Sequence, residues 1–431
     1  MGRRQRGILV AAGLLLLLLL ALRFALEPQR ATKFLLDRIG TSLGLEITAS
    51  GAAEYRLRGT PVLVIRDVVA REPGAEVPLL TADRILLSLP WSTIRARGAV
   101  LAAERLELDR PVLQLAALQH WMATRPPSKD MRLPTLASGL QVRDGSLRND
   151  GTQAGWRLDG VHLDAPRLAP EEALQARARG RYVADTIRVP FDLALALMRA
   201  QAIADGSPTG MGIVGRLAVI GGDAWSLPAH LRLSGPLRFR TDDIRVTPAR
   251  LGLAGAYRSG DGEGMPFALG GHGPLRYDAG RIALAPAHVV VRGRGASASD
   301  PIPTASARGT VAFGDALALQ LEGTLAGWPA SWPELPAPLH RPAGPIAVSL
   351  EYDGPADFGG VVALQASKDA TRFDGRFRIA DITAWLDGGL ATPLPPLDGS
   401  ASTPVLEIAG ARLEGVQVSV DDPAIEAASD D

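Results

Sequence analysis

Few residues of this chain are of the types that do acid–base, nucleophilic or metal chemistry, and none are spaced to do it. The six histidines, His120, His162, His230, His272, His288 and His340, are scattered; no two stand at the short spacing of a zinc site. Cysteine is absent, which excludes disulfides, thiol nucleophiles and thiolate metal sites. The pairs Glu171-Glu172 and Asp242-Asp243 are of the type used in general acid–base catalysis. Nothing in the sequence gives either a partner across space, so both read as solvated turns. Two glycine-rich stretches, Ser259 to Gly264 and Leu269 to Pro274, lack the strand-to-helix context of a phosphate loop and read as hairpin turns. Asp261 and Glu263 do not have the spacing of an EF-hand calcium loop. Trp91, Trp121, Trp156, Trp225, Trp328, Trp332 and Trp385 are dispersed and read as core. The chain therefore reads as non-enzymatic, with no cofactor and no metal.

Composition narrows the alternatives. Basic and acidic residues number 46 each, so no net basic field exists to attract nucleic acid. The 47 glycines and 33 prolines do not cluster. They recur between short apolar segments, as in a chain of many turns.

Those segments alternate with period two from Leu45 onward. Ile85, Leu87 and Leu89 alternate, as do Leu113 and Leu115, Leu140 and Val142, and Ile187 to Leu195. The pattern returns at Leu231 and Leu233, Leu317 to Leu321, Ile346 to Tyr352 and Val416 to Val420. Roughly 25 short strands follow, which argues a mainly β, mostly antiparallel fold. So many strands either form several closed β domains or one long sheet curled into an elongated groove, on the order of 120 Å at the usual strand spacing. In the groove reading, the alternating apolar residues would contact lipid: Ile85, Leu87, Leu89, Leu140, Val142, Leu231 and Leu233 are the candidates. The β region divides as 45–327 and 346–420 around a proline-rich loop at 328–345. A strand followed by a short helix is expected between Asp374 and Gly389, and an acidic disordered tail at 421–431.

The start of the chain is of a different kind. Arg3, Arg4 and Arg6 precede an apolar run that includes the leucines Leu14 to Leu20 and reaches Arg23. Residues 7–26 approach the ~20 that span a hydrocarbon core. No good small-x-small cleavage site follows, which favours an uncleaved transmembrane anchor over a signal peptide. Arg23 can snorkel to the far interface, and the positive-inside bias puts residues 1–6 in the cytoplasm. Residues 27–44 then show a helical apolar face, Ala31, Phe34, Leu35, Ile39 and Leu43, ending at Gly40 or Gly44. Such an amphipathic helix packs on the first sheet or lies at the membrane interface.

The order of these features resembles the AsmA-like family of inner-membrane-anchored envelope proteins of Gram-negative bacteria. The segment Ala31 to Gly51 behind the anchor carries the resemblance. So do Leu79 to Trp91 with Val100 to Leu115, which contains Glu107-Leu108-Asp109-Arg110-Pro111-Val112-Leu113. Leu140 to Leu147 is similar to the family's strand-turn-strand with Asp144-Gly145 at the turn. The C-terminal stretches Leu397 to Ser400 and Leu406 to Val418 complete it. The resemblance implies a bridge-like lipid carrier, inserted once in the inner membrane with its bulk in the periplasm. It would carry or bridge phospholipids between inner and outer membrane and support outer-membrane integrity. Its partners would be the inner membrane, phospholipids and outer-membrane or secretion components. The N proteins of type II secretion also look like an anchor plus a β-groove, so a scaffold or accessory subunit of a secretion or assembly machine is the alternative.

Overall fold

A computed structural model of the chain describes residues 36–37, 40–41 and 43–426 apart from internal stretches, the longer being 96–101, 125–131, 151–154, 295–301, 327–343 and 388–394. The expected cytoplasmic tail, the span at 7–26 and anchor residues Arg3, Arg4, Arg6, Leu14, Leu20 and Arg23 lie outside the described residues, as does nearly all of the proline-rich loop. Among the described residues no helix is long and apolar enough to cross a membrane. The chain is mainly β: 22 strands fall in one mostly antiparallel sheet, accompanied by a few short helices. It packs into two compact units, one up to Arg181 and one from Tyr182 onward.

The first unit opens with the end of the amphipathic helix. Leu36 is buried against Ile65 and Val68, so the helix end packs on the sheet, but through a residue outside the expected apolar face, of which Leu43 is exposed. Gly40 does not stop this helix. Gly44 does, at φ 56°, with Leu45 N–H donating to Gly40 O and Gly44 N–H to Thr41 O, the two bonds of a glycine-closed helix end.

Strands β1 (Glu46–Ala49) and β2 (Glu54–Arg56) pair with opposite ends of β3 (Val62–Arg71), and β3 pairs with β4 (Leu80–Ser88). The short β5 (Ala102–Ala103) precedes β6 (Arg105–Asp109) and β7 (Val112–Gln114), both antiparallel to β4. After β8 (Thr135–Leu136), which pairs with β5, comes β9 (Leu140–Asn149), parallel to β6 and β7 and antiparallel to β10 (Trp156–Ala165). A parallel return needs a crossover rather than a tight turn, and the segment from Gln114 to Leu140 supplies it with the helix Leu115–Ala123. Alternation of Leu113 and Leu115 predicts strand there. Leu115, Leu118 and Met122 also stand at helical spacing, and the crossover decides for helix.

Asp144-Gly145 is likewise not a hairpin turn. Strand β9 runs through it, pairing with β6 before and β7 after, and Asp144 sits at φ 54° as a bulge. Left-handed residues recur at Asp67 in β3, Arg110 between β6 and β7, and Gly160 in β10. Aspartate and glycine suit a hairpin and a bulge alike, because both need positive φ.

In the second unit, strand β11 (Leu174–Ala184), inside which the boundary falls, is followed by β12 (Ile187–Leu197), β13 (Thr209–Gly221), β14 (Trp225–Phe239), β15 (Asp243–Ser259), β16 (Met265–Asp278), β17 (Arg281–Gly293) and β18 (Ala305–Phe313). Then come β19 (Leu317–Leu325), β20 (Ile346–Gly354), β21 (Val361–Lys368), β22 (Thr371–Arg378), β23 (Asp398–Ile408) and β24 (Ala411–Val420). From β12 to β24 each strand pairs antiparallel with the next. Pairing of β19 with β20 continues the sheet past the proline-rich loop, where the sequence suggested a division. The helix after β22 spans Ile379–Asp387, as expected. The acidic end is not featureless: the helix Pro423–Glu426 buries Ile425.

Of the two glycine-rich stretches, Ser259 to Gly264 does connect β15 to β16. Leu269 to Pro274 lies inside β16, with His272 paired to His288 rather than on a turn. A repeat explains it. Gly235-Pro236-Leu237-Arg238-Phe239 of β14 recurs as Gly273-Pro274-Leu275-Arg276-Tyr277 of β16. Pro248-Ala249 of β15 recurs as Pro286-Ala287 of β17. The four prolines sit at register shifts in four successive strand pairs, where the ladder is already interrupted.

Candidate functional site

The register of the second unit sorts its side chains into two kinds. One row takes a residue from every strand from β12 to β24: Leu195, Ile213, Leu233, Leu251, Gly271, Val289, Ala307, Gly323, Val348, Ala366, Phe373, Ala401 and Val418. A second row on the same face runs Leu193, Gly215, Leu231, Leu253, Leu269, Val291, Ala305, Leu325 and Ile346. The next row on the opposite face reads Ser234, Arg250, His272, His288, Arg308, Glu322, Ser349, Gln365 and Asp374 from β14 to β22. Side chains alternate across a strand, so one face is continuously apolar and the other polar.

Most of the apolar row is only half-buried. Among the described residues of this unit, the accompanying helices are Ala202–Asp205, Ile379–Asp387 and Pro423–Glu426, too short to cover thirteen strands. Toward the C-terminal strands the face encloses a cavity of about 610 Å³, within the ~300–1,000 Å³ typical of small-molecule sites. Leu321, Val348, Leu350, Leu364, Ala366 and Phe373 line it, its wall is almost wholly apolar, and Lys368 and Thr371 meet it at the ends of their strands. Beside it Tyr352 is buried, its hydroxyl bonded to Pro355 O, and burial pushes its phenol up from the ordinary value.

The first unit repeats the two-faced plan. Ile65, Ile85, Leu108, Val142 and Leu163 form one row, and Leu63, Leu87, Leu106, Leu140 and Ala165 a second on the same face. On the other face Glu107, buried at 9% side-chain exposure, receives Arg105 Nε at 2.8 Å, Arg84 Nη1 at 3.3 Å and Arg143 Nη1 at 3.4 Å. Arg84 also reaches Asp109 Oδ2 at 2.8 Å; that hydrogen bond holds its guanidinium above the ordinary value. Asp109 Oδ1 is buried and accepts no hydrogen bond, with Arg143 3.5 Å away. Three arginines crossing β4, β6 and β9 thus clamp two carboxylates, an arrangement that fixes register.

The sequence candidates separate cleanly. Ile85, Leu87, Leu140 and Val142 share the apolar face of the first unit, and Leu231 and Leu233 stand on that of the second. Leu89 lies past the end of β4, its N–H bonded to Pro61 O, and joins no row. The cavity residues Leu350, Leu364, Phe373 and Lys368 were not among the candidates, although the alternation of Val362, Leu364 and Ala366 marks their strand. The acidic pairs hold arginines: Asp243 accepts from Arg276 at 2.9 Å, and Glu172 is gripped by Arg167 at 2.8 Å. No group of acids and histidines among the described residues could hold a metal ion. Comparison with known proteins adds no assignment: no family model, no curated protein and no solved structure matches the chain.

Proposed function

We propose that this chain is a β-groove protein of the cell envelope that carries the acyl chains of phospholipids along its apolar sheet face, as in the AsmA-like family it resembles. The observation that supports this is the uninterrupted apolar row from Leu195 to Val418 with no helical layer over it among the described residues. Exposed apolar area of this extent calls for a partner. An acyl chain is a fitting one, since each methylene moved out of water contributes about 0.8 kcal/mol. The arginines at the start and the apolar run behind them would hold the protein in the inner membrane, with the sheet in the periplasm. Carriage needs no catalytic group, in keeping with the scattered histidines and carboxylates.

The test is to purify the full chain in detergent and identify co-purifying lipids by native mass spectrometry. The expected result is bound phospholipid in the wild type and its loss in Leu364→Trp, which fills the cavity. A wild-type protein that retains no lipid at all sinks the reading.

A further inference from the structure

One residue on the apolar face of the second unit breaks its chemistry. Followed through the register from β12 to β22, that face carries aliphatic, aromatic and glycine residues, a few hydroxyls, and a single formally charged side chain, Lys368. Lys368 ends β21, two and four residues beyond Ala366 and Leu364, which point the same way into the cavity. Its cross-strand partner is Thr371, whose Oγ1 lies 2.9 Å from Thr403 Oγ1. The apolar rows therefore stop here in a cation and two hydroxyls. Arg372 pairs with Ser367 and so projects from the opposite, polar face.

A lysine on such a face has a bland role open to it: its stem covers apolar surface while its ammonium reaches water at the strand end. That role would suit the arginine used almost everywhere else in this chain, which has only three lysines. An ammonium differs from a guanidinium in being a compact point charge on a flexible stem, able to follow a phosphate that has no fixed approach.

We propose that Lys368 is the head-group end of the cavity, so that the occupant is an anionic phospholipid. Its acyl chain lies against Leu350, Leu364 and Phe373, and its phosphate is paired at Lys368. The proposal rests on the lipid-carrying function above and adds selectivity for the charge of the head group.

The experiment offers the full chain in detergent micelles either phosphatidylglycerol or phosphatidylcholine and reads bound lipid by native mass spectrometry. Wild type favours phosphatidylglycerol. Lys368→Gln lowers phosphatidylglycerol binding about tenfold, leaves phosphatidylcholine unchanged and so removes the preference, while Lys368→Arg keeps most of it. If Lys368→Gln leaves the ratio unaltered while Leu364→Trp abolishes both, head-group selection is wrong and acyl-chain carriage stands. If wild type binds neither lipid, both fall. If inorganic phosphate displaces phosphatidylglycerol at equal concentration, the cation holds a free anion and the proposal is overturned.

Discussion

Leu350 of β20 pairs directly with Leu364 of β21, and both side chains line the cavity. Both are half-buried, so the pair supports the sheet less than two fully buried leucines would. Leu364→Ala should destabilise the second unit by about 1–2 kcal/mol, below the ~2–5 of a buried leucine. Urea unfolding reads the loss. Leu364→Trp should instead leave stability nearly unchanged and remove lipid, which separates the site from the scaffold.

Glu107 neutralises a place where three guanidiniums meet. Glu107→Ala strands them, and the expected cost is about 2–3 kcal/mol, less than the ~3–5 of a wholly buried pair because two of the arginines are nearly half exposed. Circular dichroism during urea titration should show the first unit melting early. Glu107→Gln, which keeps the shape and some hydrogen bonds, should fall between.

Gly309 stands at φ 149°, and a Cβ there would lie 1.8 Å from Gln320 O of the neighbouring strand. Gly309→Val should open β18 from β19 at a cost of about 2 kcal/mol or more. Amide exchange at Ala307 and Leu321 should accelerate while exchange in β13 and β14 stays slow.

Asp205, in the turn between β12 and β13, accepts the Ser207 hydroxyl and its backbone N–H, which hold its carboxyl below the usual aspartate range. The unfolded chain therefore takes up the proton first. The turn's extra stability is present above about pH 3.9 and is lost as pH falls from there through the lower folded value. The protection of the Ser207 amide relative to its intrinsic exchange rate, followed across that window, should fall in wild type as pH drops. In Asp205→Asn that protection should be low and independent of pH.

How much of this was legible beforehand depends on how local the cause is. Alternation at Ile187 to Leu195 or Leu317 to Leu321 announces strands because a single face of a single strand decides it. The same rule put Ile85 with Leu87, and Leu140 with Val142, on one face of their own strands; pairing through β6 joins the two faces. The rule failed at Leu115, where a parallel crossover demanded helix, and at Asp144-Gly145, where a bulge and a hairpin use the same residues. The cavity was invisible, since it forms from residues on strands from β17 to β23, and register cannot be read from one strand alone. Lys368 could have been found by asking which alternating position breaks the apolar series.

The meander from β12 to β24 has a consequence for how such a protein changes size. Each strand pairs only with the strands before and after it, and the Gly-Pro-Leu-Arg and Pro-Ala ends of the stretch Gly235 to Ala249 recur at the same spacing in Gly273 to Ala287. A hairpin is thus an interchangeable unit of measure. Duplicating one would lengthen the row by about 10 Å at ~4.8 Å per strand, without disturbing either end. Deleting one would shorten it by as much. A lineage could fit the same molecule to gaps of different width by copying a single pair of strands.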